Sequence, residues 1–255
     1  MPEPIWINTS ELQPIFQILN RGDEQLLEAH LQAEPRAVSV VDSEGRTALH
    51  WASAHRRNLV PVLLRYGADP TIQDDAGWST LHIAAASSGP GSTEVFRALL
   101  SCLSERHKLA GALAATTRTG ATPLLLAASK GSLDILREIL NNVLPADLDE
   151  MDLHGNTPLM RATSAGHLAV VRLLLDKGAR VAVVNERTGQ NVLHLACAEG
   201  RADIIQMLAG YATEDAWEML DKQHQRPRDL LPLAKDQTLD GNPFQEKKVP
   251  SPTPY

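Results

Sequence analysis

The feature that most constrains this 255-residue chain is a six-residue string that returns five times. Gly45-Arg-Thr-Ala-Leu-His50, Gly77-Trp-Ser-Thr-Leu-His82, Gly120-Ala-Thr-Pro-Leu-Leu125, Gly155-Asn-Thr-Pro-Leu-Met160 and Gly189-Gln-Asn-Val-Leu-His194 align position by position. Their glycines lie 32, 43, 35 and 34 residues apart. A unit of this length cannot bury an apolar face alone, so copies must stack, and the core of such a chain runs between neighbours rather than inside one ball.

The chemistry of the string says what each unit is. Thr47, Ser79, Thr122, Thr157 and Asn191 share one position, and all belong to the side chains whose oxygen caps free N–H groups at a helix start. Pro123 and Pro158 follow at the first helical position, where a missing N–H costs nothing. The glycine two residues before each cap suits a turn with positive φ. A short Ala-rich helix should follow each cap (49–54, 81–86, 193–198), then a second helix rich in branched apolar residues, such as 133–140 and 168–175. Apolar content of 43% with only 4% aromatics fits thin, closely packed layers.

Where the period breaks, the sequence shows what changed. The 32-residue spacing has His55-Arg56-Arg57 where a glycine usually joins the two helices, with Pro61 tolerable in the first turn of the second helix. The 43-residue spacing carries about ten extra residues against a 33-residue period, around Ser88 to Gly91 and Ser104 to Leu113, expected as loops or a lengthened helix. Residues 10–41 hold two helical runs without the recurring string, as expected of an amino-terminal cap. At the other end, 221–236 keep a proline in register, Pro227, and read as a degenerate closing repeat. The organisation is therefore a flexible start (1–9), the cap (10–41), five repeats in 42–220 (42–73, 74–116, 117–151, 152–185, 186–220), the closing repeat (221–236) and a polar, proline-rich tail (237–255) expected to be disordered.

With 24 basic and 31 acidic side chains the formal charge is −7, against a nucleic-acid partner, which would call for a basic face. No stretch is long and apolar enough for a membrane span, and residues 1–20 lack a basic segment followed by an apolar block. Two cysteines, Cys102 and Cys197, cannot form a metal cage by themselves and fit a reducing compartment. The expected location is cytoplasmic and nuclear. No phosphate loop, metalloprotease string or nucleophile elbow is present, so neither catalysis nor a cofactor is expected.

The recurring string and period match the ankyrin signature, so the expected fold class is all-α, an ankyrin-repeat solenoid of about seven repeats including degenerate terminal caps. More narrowly, Gly45-Arg-Thr-Ala-Leu-His-Trp-Ala52 and Asp74-Asp-Ala-Gly-Trp-Ser-Thr-Leu-His-Ile-Ala-Ala85, with Trp at both 51 and 78, make residues 10–236 similar to the gankyrin family, ankyrin-repeat assembly chaperones of the 26S proteasome regulatory particle. The resemblance implies a monomer whose concave face grips the C-terminal domain of a base AAA ATPase subunit, the third in the usual order, through complementary charge. Two alternatives stay open: an ankyrin-type regulator of a cyclin-dependent kinase, which would add cell-cycle regulators as partners, and a generic scaffold or substrate adaptor.

Finger turns and the exposed ends of first helices line the concave side of such a solenoid, which makes their variable positions the partner-binding candidates. These are Glu44, Arg46, Trp51 and His55 in repeat two, Asp75 and Trp78 in repeat three, then Arg118, Lys130, His154, Arg187 and Glu199. Trp51 is equally well read as core, whereas Trp78, directly after a turn glycine, favours partner contact. His50, His82 and His194 recur at one position and read as hydrogen-bonding links between repeats rather than bases. Asp42, Asp74 and Asp152 read as turn caps. Leu195, Cys197 and Glu199 spell L-x-C-x-E, but inside a predicted helix, which points Leu and Cys into the layer.

Overall fold

A computed structural model describes residues 14–142 and 148–231. The flexible start 1–9, the tail 237–255 and the last residues of the closing repeat, 232–236, lie outside the described residues. Among those described there is no strand, only two isolated bridges, Val41 with Thr47 and Gln73 with Ser79. Helices α1 (Pro14–Arg21) and α2 (Glu24–Ala33) form the amino-terminal cap. Five helix pairs follow: α3 (Ala48–His55) with α4 (Val60–Arg65), α5 (Thr80–Ala86) with α6 (Ser92–Glu105), α8 (Pro123–Lys130) with α9 (Leu133–Leu140), α10 (Pro158–Ala165) with α11 (Leu168–Asp176), and α12 (Val192–Ala198) with α13 (Ala202–Ala209). A short α7 (Leu109–Ala114) trails α6, and α14 (Glu214–Glu218) with a 3-10 turn at Pro227–Leu230 closes the stack.

Each first helix begins directly after its expected cap, with the cap residue in extended backbone. Thr122 Oγ1 accepts from the Leu125 N–H at 3.3 Å and Thr157 Oγ1 from Met160 N–H at 3.2 Å. In the other three repeats a histidine stands three residues on, and its Nδ1 accepts the cap residue's own N–H: Thr47 to His50 at 3.1 Å, Ser79 to His82 at 3.1 Å, Asn191 to His194 at 3.2 Å. An Nδ1 that accepts leaves the proton on Nε2. That Nε2–H faces a carbonyl about thirty residues on: in the next repeat for His50 (Trp78 O at 3.0 Å) and His194 (Gln225 O at 3.1 Å), and at the end of its own repeat, just past α7, for His82 (Ala115 O at 2.9 Å). The histidines thus cap one helix and hold a distant backbone segment with the same ring.

Two further ladders cross the repeat boundaries. In the fingers, backbone N–H groups of Asp75, Arg118, Leu153 and Lys222 donate to the carbonyls of Glu44, Ala76, Thr119 and Thr188 at 2.9 to 3.0 Å. Only the step onto the fifth finger differs. There the segment from Asn185 to Gly189 has one residue more than its counterparts, and the side-chain Nδ2 of Asn185 supplies the missing donor to His154 O at 3.0 Å. Behind the fingers, residues of the interhelix turns cap the carbonyl ends of the preceding repeat's first helix. Arg56 reaches Asn20 O at 2.7 Å, His167 Nε2 lies 3.1 Å from Ser129 O, and Arg201 reaches Ser164 O at 3.4 Å.

The second helices bury the same side each time: Ile135, Leu136, Ile139 and Leu140 in α9, Val170, Val171, Leu174 and Leu175 in α11, and Ile204, Ile205 and Leu208 in α13. One apolar core runs from Ile15 to Trp217 through these layers. The glycine-free turn of repeat two becomes a 3-10 turn at Arg57–Leu59, with Pro61 in the first turn of α4. The second insertion of repeat three extends α6 to 14 residues and adds α7. Arg106 and Lys108 tie it back to repeat two, at Ala68 O (3.1 Å) and Asp69 Oδ2 (3.0 Å).

The finger glycines answer to two demands. Gly120 and Gly189 have φ of 74° and 77°, and a Cβ on either would lie 2.8 Å from the backbone nitrogen of the next finger, Leu153 or Lys222. The sixth finger has nothing stacked beyond it among the described residues. Its equivalent position is His224, with φ of 60° and an exposed side chain.

Two outcomes follow from this packing. Leu174 is fully buried, so Leu174→Ala should cost about 2 to 5 kcal/mol in urea melts, and Leu173→Ala, at a half-buried neighbour, clearly less. Burial holds the pKa values of His50, His82 and His194 below the usual histidine value, so the folded state refuses a proton that the unfolded chain accepts. Stability should be full above about pH 6.5 and fall as pH drops below it, well before carboxylates protonate. Urea midpoints that stay level from neutrality down to acid pH would contradict this.

Candidate functional site

The fingers and first helices share one side of the stack, and on that side repeats two and three enclose a hollow of about 340 Å³. Its walls come from four of the expected residues, Arg46, Trp51, His55 and Trp78, together with Asp74 and Ile83, which the sequence reading assigned to the turn and to the first helix.

The repeat-two wall is a bonded network. Asp42 uses Oδ1 for the turn, accepting from Glu44 N (3.0 Å) and Arg46 N (2.9 Å). Its Oδ2 accepts from Trp51 Nε1 and from Arg46 Nε, both at 2.8 Å. Burial opposes ionisation of Asp42, but the hydrogen bonds from Trp51 and Arg46 outweigh it and hold the carboxyl below its ordinary range. The Arg46 guanidinium also pairs with Glu44 and lies 5.2 Å from the centre of the Trp51 ring.

Trp51 itself corrects one expectation. It is 6% exposed, its ring 5.4 Å from Phe16 of the cap and its N–H consumed by Asp42, so its bulk belongs to the core and only an edge reaches the hollow. Placed next to Phe16, it fills the joint between the cap and repeat two. Arg46 is likewise held by its neighbours rather than free to steer a partner.

Trp78 forms the opposite wall. It is half-buried, fixed by backbone bonds to Asp74 Oδ1 (2.8 Å) and His50 Nε2 (3.0 Å), and its ring stands edge-on to His82 at 6.3 Å. His55 is exposed at the end of α3, edge-on to Trp51 at 6.5 Å. Burial and then the charges of Arg56 and Arg46 lower its pKa, which keeps it neutral near pH 7.

The remaining candidates lie apart from this hollow. Glu44 and Asp75 are exposed on the adjoining finger tips, and Arg118, His154 and Arg187 on the tips that follow. Lys130 ends α8 and borders a separate polar hollow of about 240 Å³ beside Ser87 and Ser132. Glu199 is exposed just past α12. Asp42, Asp74 and Asp152 each close a finger turn as expected. Asp149, three residues before Asp152, pairs with Arg180 at 2.6 Å. In the L-x-C-x-E string Cys197 is wholly buried, and burial pushes its thiol up to about 11. That helix presents no extended strand. No group of three or more His, Cys, Asp or Glu that could hold a metal occurs among the described residues, and none of the helices is long and apolar enough to cross a membrane.

Comparison with known proteins places the chain. The family described as "Ankyrin repeats (3 copies)" matches residues 15–108, 81–185 and 138–218. An ankyrin repeat-containing protein of Schizosaccharomyces pombe is 33% identical over 134 residues, 52% of this chain and 54% of its own. Human neurogenic locus notch homolog protein 2 is 32% identical over 152 residues, 59% of this chain and 6% of that protein. The chain thus spans about half the length of the first relative and a small part of the second. The crystal structure of the human ASB11 ankyrin repeat domain superposes with a TM-score of 0.72 at 22% identity, covering 88% of this chain and 93% of that one.

The two tryptophans should separate in mutagenesis. Trp51→Ala removes a core ring and should cost about 3 to 5 kcal/mol in urea unfolding, whereas Trp78→Ala should cost clearly less and leave the circular dichroism spectrum unchanged.

Proposed function

We propose that this chain, which belongs to the ankyrin-repeat family, is a protein-binding scaffold that acts as an assembly chaperone of the proteasome regulatory particle. On this reading it holds the C-terminal domain of a base AAA ATPase subunit, the third, until the mature particle excludes it sterically. Ankyrin repeats are protein-interaction scaffolds whose stacked rungs make extended concave binding surfaces, and no enzymatic family accompanies the match. The narrower assignment is supported by the paired Trp51 and Trp78 strings. The observation that carries it is the hollow between repeats two and three, where those two strings meet as facing walls among acidic finger tips. A rigid aromatic wall with a charged rim suits affinity at the centre and steering at the edge.

The chaperone would work as a monomer in the cytoplasm and nucleus, with neither nucleic acid nor membrane as a partner. Its charge pattern, acidic tips at Glu44 and Asp75 followed by Arg118, Lys130 and Arg187, suits a partner carrying basic and acidic patches in the opposite order.

The test is calorimetric affinity for the isolated ATPase C-terminal domain at two salt concentrations. Wild type should bind, more weakly as salt rises, and Trp78→Ala should lose about 2 kcal/mol or more while remaining folded. Failure of the wild type to bind any base ATPase domain would overturn the chaperone reading. Co-purification of a cyclin-dependent kinase in its place would favour the kinase-regulator alternative.

A further inference from the structure

Four finger turns are closed by an aspartate, and comparing the second oxygen of each isolates one of them. Every turn aspartate spends Oδ1 on two backbone N–H groups, as Asp74 does with Ala76 (2.9 Å) and Trp78 (2.8 Å). Oδ2 of Asp42 is taken by Trp51 and Arg46, Oδ2 of Asp152 by Arg161, and Oδ2 of Asp221 by Gln190 Nε2 at 3.2 Å. For Asp74 no hydrogen bond or ion pair reaches Oδ2 among the described residues.

The reason is visible in the repeat register. Trp51 and Arg161 stand nine residues after their aspartates; nine after Asp74 comes Ile83, which has nothing to donate. Gln190 follows the finger glycine of the preceding repeat, and the matching residue for Asp74 is Arg46. Arg46 is turned back on Asp42, Glu44 and the Trp51 ring. Both routes by which this fold neutralises a turn aspartate are therefore closed at Asp74, and its carboxylate faces the hollow between Trp51 and Trp78.

We infer that Asp74, with the Trp78 ring beside it and Ile83 as its apolar floor, forms a subsite for one cationic side chain of the partner, a guanidinium or ammonium group. The ligand supplies the donor that the repeat lacks, and a planar guanidinium does so while stacking on indole. Charge near the hollow favours it: Asp74 is the carboxylate on its wall, Glu44 and Asp75 are exposed on the adjoining finger tips, and the one arginine of the wall, Arg46, is already paired with Asp42 and Glu44. The inference rests on the protein-binding reading above and names what its hollow recognises.

The probe is a capped Gly-Arg-Gly peptide against its citrulline counterpart, which keeps shape and loses charge, followed by NMR at the tryptophan indole N–H signals. Trp78→Phe assigns the relevant signal. The Arg peptide should shift the Trp78 signal saturably, about three- to tenfold more tightly than citrulline. Asp74→Asn should abolish that preference, whereas Asp75→Asn should keep it. Asp74→Asn retains the turn acceptor, as Asn185 shows by accepting from Arg187 N at 2.9 Å in the same role, so a fold control by circular dichroism should be unchanged. Equal binding of the two peptides, preference surviving in folded Asp74→Asn, or no saturable shift in wild type would each overturn the subsite. Binding of the ATPase domain without the peptide preference would sink the subsite alone, and the preference without ATPase binding would sink the chaperone reading alone.

Discussion

One proton on one side of a histidine ring ties the start of each histidine-bearing repeat to a distant backbone carbonyl, in the next repeat for His50 and His194 and at the far end of its own for His82. Because Nδ1 is occupied as an acceptor by the cap residue, Nε2–H must point outward, and for His50 the carbonyl it finds belongs to the neighbouring repeat. The geometry of the binding side depends on this bond. The carbonyl that His50 holds is that of Trp78, so the rung that caps α3 also sets the distance between the two walls of the hollow. A change at His50 would therefore act twice, on the helix start and on the placement of an aromatic ring one repeat away.

The ladders share a division of labour that follows from burial. Toward the fingers, the cross-repeat bonds are made by backbone groups and are indifferent to side-chain identity, which leaves tip residues such as Ser43, Asp75, Arg118 and Leu153 free to vary. Toward the interhelix turns, the bonds come from Arg56, Ser132, His167 and Arg201, different side chains answering the same unsatisfied carbonyls. Recognition can change at the tips without disturbing what holds the repeats in line.

Much of this was legible in the sequence because it is local. The caps, the proline at the first helical position, the turn aspartates and the capping half of the histidines' role depend on residues within about one helical turn of one another, and their linking half was legible only through recurrence at one repeat position. What was not legible depends on distances between repeats. Trp51 and Trp78 occur in similar strings, yet one meets Phe16 of the cap and is swallowed by it, while the other meets the open side. The difference lies in what α1 supplies, not in either string. The extra finger residue before Gly189 was hidden because Asn185 replaces a backbone donor with a side-chain one. Asp74 looked like any other turn aspartate, and its open oxygen shows only when Ile83 and the diversion of Arg46 are considered together.

His224 carries a consequence for how such a chain can grow. At the other fingers a side chain at this position would collide with the rung above, so glycine there is a licence for another repeat to be laid on top. The sixth finger has surrendered that licence. New repeats can be inserted anywhere before it by duplication of internal segments, each bringing its own glycine, but none can be appended after it without first undoing this substitution. A repeat laid on this finger would meet a Cβ where every earlier rung meets none.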